Sequence, residues 1–308
     1  MTSPTPLRYD VWPTVIANLD MYLRFELFQR CPAVRRTESS CPAKIDNLEL
    51  NLTSITMGKT SFRLAPRYRL IIVSGNKTRN LEFKTRPSSE FEALKRMAIK
   101  LLGRYSKPVI VGILTIDLGV ALENAYLPPT LKISSRRLNQ RSSTFGTNSD
   151  HFLDDIRRLL TPNSFPLENL KLDAAIEWIE DPIIATAKNL KLECDPWTIY
   201  EMKNQQVHAV LSFPSLFNPI TLIEVWRTEQ AKVGRHFRLD GFTFNETRRV
   251  LDVVKGFPGV VSETREDDSE CLVFPECFTL VINDDKKLHV FGKQHSGFIE
   301  YEIHFKIV

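Results

Sequence analysis

Residues 7–38 read LRYDVWPTVIANLDMYLRFELFQRCPAVRRTE, and the predicted fold is organised around this segment, which we call the head. Its apolar residues recur at every fourth position, at Leu7, Val11, Val15, Leu19, Leu23 and Leu27. This spacing places them on one face of a helix. Pro13 is tolerated in a first helical turn, Asp20 can cap a second helix over 21–30, and Pro32 ends that helix. The head therefore predicts two or three short helices with an apolar face.

Behind the head, alternating apolar residues predict a small layer of strands. Gly58-Lys59 lies between two such runs and is typical of a two-residue hairpin turn. A run with helical periodicity over 90–102 and an apolar, β-branched run over 108–117 then predict a helix followed by a buried strand.

The remaining chain contains short strands that carry leucine and recur along the sequence. They are centred on 131–133, 170–172, 190–192, 207–211 and 236–239. The spacing of the middle three, about twenty residues, is at the lower end of leucine-rich-repeat periods. Residues 277–308 alternate as an antiparallel meander that would cover the exposed sheet end.

The predicted fold class is therefore α/β with four parts. Short N-terminal helices precede a small β-hairpin layer and an irregular leucine-rich-repeat-like body, which C-terminal antiparallel strands cap. The predicted domain boundaries are 1–43 for the head, 44–86 for the hairpin layer and 87–308 for the body.

Composition indicates an ordinary globular protein. The 308 residues are 43% hydrophobic and 25% charged. No apolar run approaches the length of a membrane span, and no basic-then-apolar leader opens the chain, so we expect a cytoplasmic or nuclear protein without a membrane partner. Five cysteines without close pairs argue against a disulfide framework.

Charge is distributed unevenly along the chain. Residues 1–150 hold 23 Lys/Arg and 12 Asp/Glu, whereas residues 151–308 hold 18 and 25, within a formal net charge of +4. A basic first half could attract nucleic acid, so nucleic-acid binding is a third hypothesis for the function. The sequence has no aromatic-basic motif of a known RNA-binding type, so we favour a protein partner over nucleic acid.

No arrangement of residues predicts catalysis, a metal or another cofactor. Histidines lie near carboxylates at His151 and at His236, which is close to Asp240, but no G-x-S-x-G motif accompanies them. Cys271 and Cys277, with His289 and His295, lack the spacing of zinc ligands. We therefore predict a protein that is not an enzyme.

The head resembles an F-box, the segment that binds a small adaptor of cullin ubiquitin ligases. Here the usual Leu-Pro opening reads Leu7-Arg8, and the proline follows at Pro13. Together with the head, five further segments give most of the chain a resemblance to nematode F-box-associated proteins of the F-box C family. These segments read PAKIDNLELN, ITMGKTSFRL, SFPLENLKLD, DPIIATAKNLKLE and ITLIEVWRTEQAKVGRHFRL. The resemblance implies a non-enzymatic protein that recognises partners and delivers them for ubiquitination.

Two surfaces follow from this interpretation. The resemblance implies an adaptor-binding face made by Leu7, Val11, Trp12, Pro13, Val15, Leu19 and Leu23. The predicted repeat strands supply a client-binding face with Lys132, Lys171, Lys191 and His208. The alternative hypothesis is a stand-alone binding module of unknown partner whose head is purely structural.

Overall fold

The protein is described as a computed structural model that covers residues 11–51, 53–83, 85–117, 126–141, 152–172, 179–264, 274–283, 285–294 and 300–308. The chain divides into two compact units, Met1–Phe165 and Pro166–Val308. The predicted segments 1–43 and 44–86 lie in the first unit, and the predicted body, 87–308, extends over both.

The helices of the first unit begin with the three that the head predicts. They are α1 (Trp12–Ala17), α2 (Met21–Arg30), α3 (Pro32–Ser40), α4 (Glu90–Leu101) and α5 (Phe152–Leu159). The carboxylate of Asp20 accepts a hydrogen bond from the backbone N–H of Leu23, 2.9 Å away, so the predicted cap of α2 is confirmed. Pro32 opens α3, where a missing N–H costs no helical hydrogen bond.

The strands of the first unit form one mixed sheet. They are β1 (Lys44–Leu50), β2 (Ser54–Met57), β3 (Thr60–Ala65), β4 (Arg69–Ser74), β5 (Lys77–Leu81), β6 (Val109–Asp117), β7 (Ile133–Ser134) and β8 (Arg137–Arg141). Their order is β8-β6-β1-β2-β3-β4-β5, with β7 also paired to β6. Strands β1, β6 and β8 run parallel, whereas β1 to β5 form an antiparallel meander. The predicted hairpin is confirmed, and Gly58 adopts a φ of +60° in its turn.

The inward side of the head differs from the apolar stripe that recurs every four residues. Ile16, Phe25 and Val34 are buried, and the ring of Phe25 packs edge-on against Phe62 of β3 at 5.4 Å. The chain leaves helical conformation between α1 and α2, which changes the rotation of one helix relative to the other. A spacing of four residues carried across that break therefore does not follow one continuous face.

The second unit alternates strands and helices before it turns antiparallel. Its elements are β9 (Asn169–Leu172), α6 (Pro182–Ala185), β10 (Asn189–Cys194), α7 (Pro196–Glu201), β11 (Gln206–Leu211), α8 (Pro219–Thr228), β12 (His236–Phe242), α9 (Phe244–Lys255), β13 (Val260–Thr264), β14 (Glu276–Asn283), β15 (Lys286–Gln294) and β16 (Tyr301–Ile307). The strand order is β9-β10-β11-β12-β16-β15-β14-β13. Strands β9 to β12 are parallel, and those from β16 to β13 are antiparallel.

The leucine-bearing strands of this unit lie side by side. Leu170, Leu190, Val207 and Phe237 are register partners on β9 to β12, and all four are buried. The aromatic ring of Trp226 in α8 packs edge-on against Phe237 at 4.9 Å, so α8 covers the apolar face of the sheet. Burying such rows supplies most of the stabilisation of a sheet with helices on one face.

The predicted mixed α/β class, the N-terminal helices and the C-terminal antiparallel strands are confirmed, while the leucine-rich-repeat-like character stays a prediction. The polar, acidic run from 262 to 270 predicts an exposed loop, but its first three residues belong to β13, which pairs with β14. The sequence also predicts a helix over 174–179, a segment that lies almost wholly outside the described residues.

Candidate functional site

The register of the strands in the second unit aligns the polar residues of five neighbouring strands. Lys171, Lys191, His208, Arg238 and His304 are successive cross-strand partners from β9 through β12 to β16. Each is flanked in sequence by apolar residues, and since side chains alternate along a strand, the apolar neighbours point to the helix-covered side. We call the opposite surface the polar face and define it by Lys171, Lys191, His208, His236, Arg238, Asp240, Glu302 and His304.

Asp240 holds two of these side chains. Its Oδ2 lies 2.5 Å from Nε2 of His208, and its Oδ1 accepts a hydrogen bond of 3.2 Å from Nε of Arg238. Burial of Asp240 would raise its pKa, but the hydrogen bond from His208 and the charges of His208 and Arg238 outweigh burial, so the pKa lies below its ordinary value. The carboxylate is therefore ionised at neutral pH.

Glu302 forms a second carboxylate centre beside the first. Its Oε2 lies 2.5 Å from Nε of Arg238, and its Oε1 lies 3.0 Å from Nε2 of His304. Burial again opposes ionisation, yet the hydrogen bond and charge of His304 and the charge of Arg238 lower the pKa of Glu302. Arg238 therefore bridges two ionised carboxylates, which fixes its position on the sheet.

A stack of three rings borders this pair. The ring of His304 lies 4.7 Å from Phe291 and 5.1 Å from His236, centroid to centroid. Nε2 of His236 lies 2.9 Å from Nδ1 of His304. Burial, assisted by the charges of His304, Lys306 and Arg238, lowers the pKa of His236 to about 4, so this imidazole is neutral at physiological pH.

The arrangement can hold charged groups at fixed positions. Its side chains are mounted on paired strands, and Asp240 and Glu302 orient their cationic neighbours. In the described contacts, His208 hydrogen-bonds to Asp240 and not to a hydroxyl or thiol that it could activate as a nucleophile. Asp240 pairs with His208, although His236 is closer in sequence. Partly exposed charges with set geometry suit recognition of a complementary surface.

Sequence reasoning selected Lys171, Lys191 and His208 for the client-binding face, and the register brings these three residues together. Lys132 belongs to the first unit, where its ammonium group donates a hydrogen bond to the backbone carbonyl of Arg158. The interpretation missed Arg238 and the residues of β16. A signal for them exists, since His236–Phe242 and Tyr301–Ile307 both place charged residues at alternate positions.

The predicted adaptor-binding residues differ in exposure. Val11 and Leu23 are 39% and 44% exposed. Pro13 is also exposed, whereas Trp12, Val15 and Leu19 are half-buried. Trp12 packs against the buried cluster of Ile16, Val34 and Cys41. Leu7 lies outside the described residues.

A buried charge cluster fixes the head to its unit. Oε1 of Glu38 lies 3.3 Å from Nε of Arg24, 3.3 Å from Nη2 of Arg104 and 3.0 Å from the hydroxyl of Tyr105. The Arg24 guanidinium also donates to the carbonyl of Pro42 at 3.3 Å. Burial raises the pKa of Tyr105 to about 12, so its hydroxyl keeps the proton that it donates. We call Arg24, Glu38, Arg104 and Tyr105 the Arg24 cluster.

In the described part of the chain, no group of three or more His, Cys, Asp or Glu side chains is placed to hold a metal ion. Cys271 and His295, considered above as ligands, fall outside that part, and Cys277 is buried. None of the helices described has the length and apolar character needed to cross a membrane.

Comparison with known proteins gives one family match. The model of a family described as "Domain of unknown function (DUF3557)" matches residues 91–243 only. This range includes all four predicted client-binding residues, three of them on β9, β10 and β11. No curated protein and no solved structure matches the chain. The resemblance to the F-box C family stays a prediction.

Proposed function

We propose that this chain is a non-enzymatic protein–protein interaction protein that serves as the substrate-recognition subunit of a cullin-type E3 ubiquitin ligase. In this proposal the polar face binds the client, and the exposed part of the head binds the cullin-linked adaptor. The observation that carries the proposal is the continuous row of ionisable side chains on the polar face, set by strand register and opposite the helix-covered side.

The polar face supports client binding through its charge. Lys191 is exposed and lies in register between Lys171 and His208, which favours a client that presents carboxylates or phosphates there. Arg238 and Asp240 supply both signs of charge beside that row, so the orientation of a client would be specified as well as its charge.

The head supports adaptor binding through apolar exposure. Val11, directly before α1, and Leu23, on α2, each expose more than a third of their surface. Exposed apolar side chains on rigid helices are suited to insertion into a partner groove. Leu7, Trp12, Pro13, Val15 and Leu19 complete the adaptor-binding face in this proposal.

Adaptor binding is tested with the full chain and a purified adaptor–cullin complex in a pull-down. Leu23→Asp places a charge at a site that is already exposed, so the fold should persist while adaptor binding falls by about tenfold or more. Val261→Asp, at a residue 58% exposed on β13, is the matched control and should bind like the unaltered chain. Equal binding by all three proteins would contradict the assignment of this face.

A second candidate function is a stand-alone binding module with a structural head. The Arg24 cluster favours it, because this cluster ties α2 and α3 to residues 104 and 105 through buried contacts. If the unaltered chain does not bind the adaptor complex, and charge reversal of Lys191 still changes the proteins captured, this second function is supported. If charge reversal of Lys191 leaves the set of captured proteins unchanged, a binding role for the polar face is contradicted.

A further inference from the structure

A groove lies among the helices of the second unit, away from the polar face. Its volume is about 870 Å³, and residues of α6, α7 and α8 line it. Ala185, Val225 and the ring of Tyr200 give it apolar contact surface. The Tyr200 hydroxyl donates to the backbone carbonyl of Asn218 at 3.2 Å, so α7 is fixed to the start of α8. The groove is therefore bordered by helices held in place.

Acidic side chains surround this apolar surface. Among its described lining residues four are glutamates, and Lys203 is the one base. Glu229 is committed to Arg235, whose Nη1 lies 3.1 Å away. Glu201 and Glu224 are exposed and form no ion pair with the described residues. Their charges remain available to a molecule that enters the groove.

An exposed tryptophan stands next to the groove. Trp197 in α7 is 60% exposed, and its ring contacts that of Tyr200 edge-on at 6.4 Å. Exposing an indole forgoes the favourable transfer of a large apolar surface from water. Tryptophan is also enriched among the residues that dominate protein–protein binding energy. Trp197 therefore extends the apolar surface of the groove outward.

We propose that this groove binds a Lys/Arg-rich segment of a protein partner that carries apolar anchors. Its apolar residues contact Tyr200, Val225 and Trp197, and its cations pair with Glu201 and Glu224. The negative charge selects this occupant, because phosphate-bearing nucleic acid and anionic lipid surfaces would be repelled. The inference does not depend on the proposed function, since α8 packs on the sheet face opposite the polar face.

The probe is a fluorescein-labelled amphipathic peptide with leucine at every third or fourth position and lysine between. Fluorescence anisotropy with the full chain should show saturable binding that weakens as salt rises. A second peptide, with glutamate in place of lysine, should not bind. Absence of saturable binding, or equal binding of both peptides, would overturn the proposal.

Matched variants locate the site. The double variant Glu201→Lys and Glu224→Lys should raise the Kd of the lysine peptide by about tenfold or more, and Trp197→Ala should also weaken binding. The control, Glu263→Lys with Glu300→Lys, changes the same charge at exposed positions elsewhere and should retain affinity within about twofold. Lys191→Glu should retain it as well. Circular dichroism melts confirm folding; an unchanged Kd in a folded E201K/E224K variant would refute the groove as the site.

Discussion

The Arg24 cluster and the polar face pair the same chemical groups under different access to water. Arg24 and Glu38 are 1% and 0% exposed, whereas the side chains of Arg238 and Asp240 are 31% and 14% exposed. In the Arg24 cluster, water cannot replace a lost partner, whereas on the polar face it partly can. Burial therefore determines whether a charge pair fixes a fold or remains available to a binding partner.

Removal of the buried carboxylate should give the largest effect. Glu38→Ala leaves the guanidinium groups of Arg24 and Arg104 buried without their shared acceptor, so we expect the free energy of unfolding to fall by about 3–5 kcal/mol. Urea unfolding followed by circular dichroism measures this change.

Asp240→Ala is the matched change on the polar face. His208 and Arg238 reach solvent there, and Arg238 retains Glu302, so the loss should be about 1–2 kcal/mol. If Asp240→Ala lowers the free energy of unfolding as much as Glu38→Ala or more, exposure does not distinguish the polar face from the Arg24 cluster.

The helix bounds around the Arg24 cluster could be predicted from sequence, whereas the buried contacts of the cluster could not. Asp20 and Pro32 act on residues next to them, so the bounds of α2 follow from the sequence. Glu38 meets Arg104 and Tyr105 through contacts distant in sequence, and an arginine on a helix is usually exposed. Nothing in the helical pattern therefore indicated that Arg24 is buried.

The polar face was predictable to the extent that it depends on alternation within single strands. Alternation placed Lys171, Lys191 and His208 on one side, but Arg238 and His304 meet only because β16 inserts beside β12. Pairing of strands distant in sequence is set by tertiary packing and not by a local motif. Lys132 lies outside this row because it belongs to the first compact unit, which leucine alternation does not indicate.

The stability of the polar face should depend on pH through His236. Its pKa is about 4 in the folded protein and about 6.5 in the unfolded chain. Between these values the unfolded state binds more protons, so the stability given by the neutral ring is complete above pH 6.5 and declines as pH falls toward 4. We expect His236→Gln to reduce the slope of unfolding free energy against pH between 6.5 and 4.5.

The carboxylates of the polar face act at lower pH. Asp240 and Glu302 have lowered pKa values, so their contribution is present above their ordinary values of 3.8 and 4.5 and is lost below them. Urea titrations of the unaltered chain and of the His236→Gln variant above pH 4.5 therefore measure the contribution of His236 apart from that of the two carboxylates. Identical slopes for the variant and the unaltered chain would show that His236 does not remain neutral in the fold.

The smallest effect on stability should come from Lys191→Glu. Lys191 is exposed and has Lys171 and His208 as cross-strand neighbours, so reversing its charge removes no buried contact and places unlike charges side by side. The free energy of unfolding should stay within about 0.5 kcal/mol of the unaltered protein in the same urea titration. A loss above about 1 kcal/mol would mean that Lys191 supports the fold, as Glu38 does. If stability is unchanged, a binding defect of this variant arises at the surface itself. A charge on the polar face can then be changed without loss of the fold, whereas a charge in the Arg24 cluster cannot.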